Sequence, residues 1–98
     1  MLVDMSIFGE ILISRPAGRE AIMGASAYIF NTVKSNEIIL LDFKNIKVLT
    51  PGWADEFIIG LKTKLNNKIN YINTENPSVK ASLNTVFGLI DVSKYKIK

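Results

Sequence analysis

The amino-acid sequence predicts a small α/β domain in which strands and helices alternate in the order βαβαβα. Two observations carry this prediction. The run Ile-Ile-Leu-Leu at 38–41 is apolar on both faces, as a central strand covered by helices on each side requires. Segments with apolar residues at three- and four-residue spacing follow the predicted strands. This alternation predicts a mostly parallel sheet with right-handed crossovers and leaves the strand order open.

The first third of the chain predicts one bent strand or two short strands, followed by a helix. Residues 3–13 are apolar with one interruption at a glycine, which permits a turn. The all-apolar stretch 11–13 is expected to lie inside the sheet. A helix is expected over 16–34, and its internal glycines Gly18 and Gly24 are expected to allow close approach to the sheet.

The remainder of the chain predicts two further helices separated by a strand. Residues 42–49 form a loop after the central strand, and Thr50 offers a side-chain oxygen to cap a helix over 51–66. A third strand, nearer an edge of the sheet, is expected over 68–73. An Asn-Pro-Ser sequence then starts a helix that runs over 77–92.

The length and composition predict one domain over 1–98, with residues 94–98 as a flexible tail. The chain has 98 residues, of which 48% are hydrophobic, so it suffices for one modest core. It contains no run of eighteen apolar residues and no basic-then-apolar leader. We therefore expect a cytoplasmic protein that does not enter a membrane.

The absence of cysteine and histidine excludes several kinds of chemistry. With neither residue type in the chain, thiol catalysis, Ser-His catalysis and Cys/His zinc sites are impossible within it. A carboxylate site for magnesium would need convergent acidic residues that the sequence scarcely offers. We expect no enzymatic activity, no cofactor and no metal.

The positive charge of the chain gives only weak support for nucleic-acid binding. The formal net charge is +3, and ten of the twelve basic residues are lysines. Only the tail at 94–98 clusters lysines around an aromatic residue, and a solvated terminus explains that pattern as well. A nucleic-acid accessory domain is therefore the weakest alternative.

Three sequence segments resemble the STAS-like family of uncharacterised bacterial and archaeal domains. They are LLDF at 40–43, TPGWADEF at 50–57 and SRPAGRE at 14–20. The family is named for its likeness to STAS domains, which include the antagonists of bacterial anti-sigma factors. The resemblance covers most of the chain and implies a STAS-like fold. It also implies a protein partner in signalling, by analogy a histidine-kinase-like ATPase.

The sequence differs from STAS domains at the position of their regulatory serine. In those domains a serine at the start of the helix after the central strand is phosphorylated, which adds charge at an interface. Pro51 or Gly52 stands at that position here, and Thr50 is the only hydroxyl nearby. Whether Thr50 is phosphorylated stays open.

Seven residues at the predicted carboxyl edge of the sheet are the candidate partner-binding site. They are Arg15, Arg19, Asp42, Thr50, Trp53, Asp55 and Glu56.

Each candidate also has a structural explanation. Thr50 is most simply a helix cap, and the adjacent acids Asp55 and Glu56 suit the helix dipole or an ion pair better than acid/base catalysis. Arg15 is expected to pair with Asp42 or Asp55, in preference to forming an anion site with the second arginine and a helix N-terminus.

Trp53, at the start of its helix, either contacts a partner or covers the loop over 45–49.

The resulting expectation is a non-catalytic regulatory domain that binds another protein. The alternative is a sensor of a small anionic ligand or nucleotide at the arginine-lined edge. The sequence leaves homodimer formation open.

Overall fold

The computed structural model describes residues 1–88, in which three helices pack on two small parallel sheets. The strands are β1 (Leu2–Asp4), β2 (Ile11–Leu12), β3 (Ile39–Asp42), β4 (Val48–Leu49) and β5 (Ile69–Ile72). The helices are α1 (Arg15–Tyr28), α2 (Pro51–Lys64) and α3 (Pro77–Gly88), with short 3-10 turns at Met5–Phe8 and Phe30–Thr32. The predicted α/β class with mostly parallel strands is confirmed. The predicted tail at 94–98 lies outside the described residues.

The main sheet has the order β1-β3-β5 with all strands parallel. Ile39 and Leu41 of the central strand are buried in the core, as predicted, and Leu41 lies between Val3 and Tyr71 of the neighbouring strands. The prediction that 38–41 is covered on both faces is wrong. Ile38 precedes the strand and is 45% exposed, and the opposite face of the sheet, which carries Leu40, is only partly covered.

The second sheet consists of β2 and β4, and the sequence reasoning missed it. The apolar pattern places residues 11–13 inside the main sheet, but β2 pairs with β4 instead, with Ile11 opposite Val48. Leu12 is buried, whereas Ile11 is 59% exposed and Ile13 is 51% exposed. Successive side chains of a strand point to opposite faces, and the core covers only one face of this pair. β4 lies in the segment predicted as a loop.

The first two helices approach each other so closely that no side chain fits between them at Gly18. A Cβ atom on Gly18 would lie 2.6 Å from the carbonyl oxygen of Trp53 in α2. The predicted close approach of this helix to the sheet is therefore wrong, because the partner is α2. Gly24 faces open space, and a Cβ atom there would meet no neighbouring element within 4 Å. The helix also ends at Tyr28, earlier than the predicted boundary.

The two glycines of α1 give a matched test of this packing. Gly18→Ala is expected to lower the free energy of unfolding by about 1–3 kcal/mol, because the new methyl group would overlap the backbone of α2. Gly24→Ala is expected to raise it by about 0.5–1 kcal/mol through better helix propensity. Urea denaturation of the two variants measures both effects. Equal changes in the two variants would contradict this packing.

Candidate functional site

The pairing of β2 with β4 brings the starts of α1 and α2 together. Because the strands are parallel neighbours, the helices that follow them begin at the same edge, at Arg15 and Pro51. Ser14 turns the chain into α1 with a φ of 76° and caps it, its Oγ accepting a hydrogen bond from the Ala17 N–H at 3.3 Å. The two helix starts therefore share one surface.

Thr50 ties this surface to β2. Thr50 occupies the N-cap position of α2, but its hydroxyl makes no capping hydrogen bond. The hydroxyl donates instead to the Leu12 carbonyl at 3.3 Å, next to the bond that the Thr50 N–H donates to the same oxygen at 3.0 Å. The predicted side-chain cap is wrong because the neighbouring strand offers an acceptor. Thr50 is half-buried.

Four charged residues form an ion-pair cluster across the two helix starts. Arg15 Nη1 lies 2.7 Å from Asp55 Oδ2 and 3.2 Å from Glu56 Oε2. Arg19 Nε lies 2.9 Å from Glu56 Oε1. Of the two pairs expected for Arg15, the structure contains the one with Asp55. The hydrogen bond to Asp55 raises the pKa of the Arg15 guanidinium above its ordinary value. Two cations thus face two carboxylates, and the cluster is formally neutral.

Trp53 is buried beneath this cluster. It is only 3% exposed, and its ring stacks on Phe57 with a centroid distance of 5.0 Å and an interplanar angle of 11°. The ring of Phe8 lies 6.0 Å away. The expectation that Trp53 is partly exposed is wrong, because its ring is buried against Phe57 and Phe8. Its spacing of four from Phe57, on the apolar stripe, is the signal that could have predicted burial.

Asp42 does not join the other candidate residues. It ends β3, is 3% exposed and accepts hydrogen bonds from Asn73 Nδ2 at 2.9 Å and from the Lys44 N–H at 3.0 Å. Lys44 Nζ lies 3.5 Å from its second oxygen. Burial opposes ionisation of Asp42, but these bonds outweigh it and hold the pKa of Asp42 below its ordinary value. The predicted alternative pair of Arg15 with Asp42 is therefore not formed.

An open groove beside β2 completes the surface, and the sequence reasoning missed it. It has a volume of ≈ 360 Å³. Its lining residues are Phe8, Ile11, Leu12, Ile13, Ala17, Glu20, Ala21 and Trp53. The sequence pattern that could have predicted this groove is the two-residue spacing of Ile11 and Ile13, which puts both side chains on one face of a strand.

Residues 1–88 contain neither a candidate metal site nor a candidate membrane-spanning helix. Among these residues there is no group of three or more acidic side chains placed to hold a metal ion. Within the same range, no helix has the length and apolarity needed to span a bilayer. The arrangement offers a charge cluster, a groove whose lining residues are mostly apolar, and an exposed strand.

The carboxylate of Asp42 gives a test of the polar end of the main sheet. Because folding lowers its pKa, ionised Asp42 stabilises the folded state above about pH 4, and this contribution is lost as the pH falls through the folded-state pKa. Asp42→Asn is expected to lower the free energy of unfolding at pH ~7 by about 1–3 kcal/mol, and by less at pH ~3. Denaturant melts at both pH values measure this. An equal loss at both would contradict it.

The comparison with protein families agrees with the fold described above. The model of the family described as STAS-like domain of unknown function (DUF4325) matches residues 27–79, which is more than half of the chain. This match spans β3, β4, α2 and β5, whereas β1, β2, most of α1 and the groove-lining residues other than Trp53 lie before it. Comparisons with curated proteins and with solved structures give no match. The chain therefore belongs to the family of STAS-like domains of unknown function.

Proposed function

We propose that this domain acts without catalysis of its own and binds another protein through the surface where α1 and α2 begin. This surface, called the helix-start surface below, comprises Ile11, Ile13, Arg15, Arg19, Asp55 and Glu56. The observation that carries the proposal is the exposure of two neighbouring isoleucines beside a fixed charge cluster. An apolar patch with a polar, arginine-containing rim is typical of protein interfaces.

The ion pairs support this proposal because they link the charged side chains of the rim to one another before a partner arrives. Arg15 contacts both Asp55 and Glu56. A Cβ atom on Gly52 would lie 3.0 Å from Arg15 Cγ, so the glycine leaves room for the aliphatic part of the arginine. Side chains that are already ordered lose less conformational entropy on binding. The helix-start surface is thus organised for recognition.

The family likeness favours a signalling partner. STAS domains, which this family resembles, bind histidine-kinase-like ATPases, and we propose a partner of that kind in the bacterial cytoplasm. Regulation through Thr50 has less support, because its hydroxyl is half-buried and bonded to the Leu12 carbonyl. A phosphoryl group there would break that bond.

The two alternatives have less support. An anion or nucleotide sensor would use Arg15 and Arg19, but both guanidinium groups already contact carboxylates that an anion would have to displace. A nucleic-acid accessory role would use the lysines at 94–98, which lie outside the described residues. Neither alternative explains the exposed isoleucines.

Site-specific crosslinking tests the proposal. A photoactivatable phenylalanine analogue at Ile13 is expected to crosslink one predominant partner in cells, which mass spectrometry then identifies. The same analogue at the exposed Lys64, at the far end of α2, is the matched control and is expected to give no such product. Identical product patterns at the two positions would contradict binding at the helix-start surface.

A charge reversal in the cluster provides the second readout. Asp55→Lys, combined with the crosslinker at Ile13, is expected to reduce the yield at least about threefold, because it places a second cation beside Arg15. Glu75→Lys makes the same charge change at an exposed position outside the helix-start surface and is expected to leave the yield unchanged. Thermal melts of both variants show that each remains folded.

A further inference from the structure

One edge of β2 is unpaired along its backbone within residues 1–88. The carbonyl of Glu10 accepts from the Lys47 and Val48 N–H groups at 2.8 and 3.2 Å, and the carbonyl of Leu12 accepts from Thr50. In a parallel pair of strands, every second residue directs its backbone N–H and C=O groups towards the neighbouring strand. Because Glu10 and Leu12 face β4, the backbone groups of Ile11 and Ile13 face away from it. The sheet has two strands, and none of the other described strands occupies that side.

The groove borders this unpaired edge. Ile11, Ile13 and Trp53 are among the residues that line it. Its volume of ≈ 360 Å³ lies at the low end of the range for ligand pockets, about 300–1,000 Å³. That volume suits one or two side chains of a peptide. An extended chain that pairs with β2 would direct every second side chain towards one face.

Glu20 gives the site its charge preference. It lines the groove, is exposed, and makes no ion pair or side-chain hydrogen bond with another residue in the described part of the chain. The neighbouring acids are all paired, Glu10 with Lys47 at 3.2 Å and Asp55 and Glu56 with arginines. The carboxylate of Glu20 therefore remains available for a cation from outside residues 1–88.

We propose that β2 and the groove bind an extended segment of a partner protein as an added β-strand. The segment places one or two apolar side chains in the groove and pairs a lysine or arginine with Glu20. This inference rests on the proposed function and names the part of the partner that the helix-start surface recognises.

A second copy of the chain fits this edge less well. If two copies paired through β2, each would bring its own Glu20 to the shared edge, and like charges side by side are unfavourable. Residues 10–14 contain no lysine or arginine to offset them. Arg15, the next residue, is already paired with Asp55 and Glu56.

Selection from a random peptide library tests the proposal on the full chain. Peptides of about eight residues exceed the length of a typical strand, ~5–6 residues, and the library omits tryptophan. The enriched peptides are expected to carry apolar residues two positions apart and a basic residue. Trp53 is the only tryptophan of the chain, so binding is followed by its fluorescence. Absence of enriched peptides, or enrichment without a basic residue, overturns the proposal.

Backbone methylation distinguishes strand addition from simple groove binding. Two versions of an enriched peptide are compared, one N-methylated at odd positions and the other at even positions. An added strand turns only one of these sets of N–H groups towards β2, so one version is expected to lose at least about tenfold in affinity while the other stays within about threefold. Similar affinities for the two versions overturn strand addition.

A charge reversal tests the role of Glu20. Glu20→Lys is expected to weaken binding of the enriched peptide about tenfold, and the control Glu75→Lys to change it less than about twofold. Equal affinities for the two variants would overturn this assignment. It would also be overturned by sedimentation measurements showing that the chain self-associates and so occupies the free edge of β2. If these tests fail while the crosslinker at Ile13 still captures its partner, the proposed function stands and only the strand-addition mode falls.

Discussion

The helix-start surface depends on one contact, the approach of Gly18 in α1 to the carbonyl of Trp53 in α2. Because no side chain separates the two backbones there, the helix starts are held at a short, fixed distance. Two consequences follow from that distance. Arg15 and Arg19 reach Asp55 and Glu56 of α2, and Trp53, whose ring lies 6.0 Å from that of Phe8, is among the residues that line the groove. A larger residue at 18 would separate the helices and disturb both features.

The charges of this surface are positioned by the core and contribute little to holding it together. Exposed ion pairs are weak because water screens them. The buried residues carry the stability: Trp53 stacks on Phe57, and Leu12 and Leu49 of the small sheet are buried in the core. A cluster that is fixed by packing and contributes little to folding is free to serve recognition. Ile11 and Ile13 are exposed because the core covers only one face of the β2–β4 pair, and an exposed apolar patch beside a charged rim suits contact with a partner.

The order of the helices and of the main-sheet strands, and the starts of α2 and α3, could be predicted from the sequence, because they depend on local patterns such as the apolar stripe of α2 and the Pro51 start. The ion pair between Arg15 and Asp55 was one of two predicted alternatives, and the sequence could not choose between them. The pairing of β2 with β4 could not be predicted, since two-residue strands carry almost no periodicity and their partner lies far along the chain. The groove depends on that pairing. The burial of Trp53 could have been predicted from its spacing of four from Phe57, whereas no local pattern specifies the contact between Gly18 and the backbone of Trp53.

Nuclear Overhauser measurements between the α protons of Gly18 and Trp53 test this account most directly. A methyl carbon added to Gly18 would lie only 3.0 Å from the Trp53 Cα, so an α proton of Gly18 is within easy reach of that residue. The account predicts strong cross-peaks between the Gly18 and Trp53 α protons in the folded protein. Absence of these cross-peaks, together with cross-peaks from the Gly18 protons to main-sheet residues such as Leu41 or Tyr71, would contradict it.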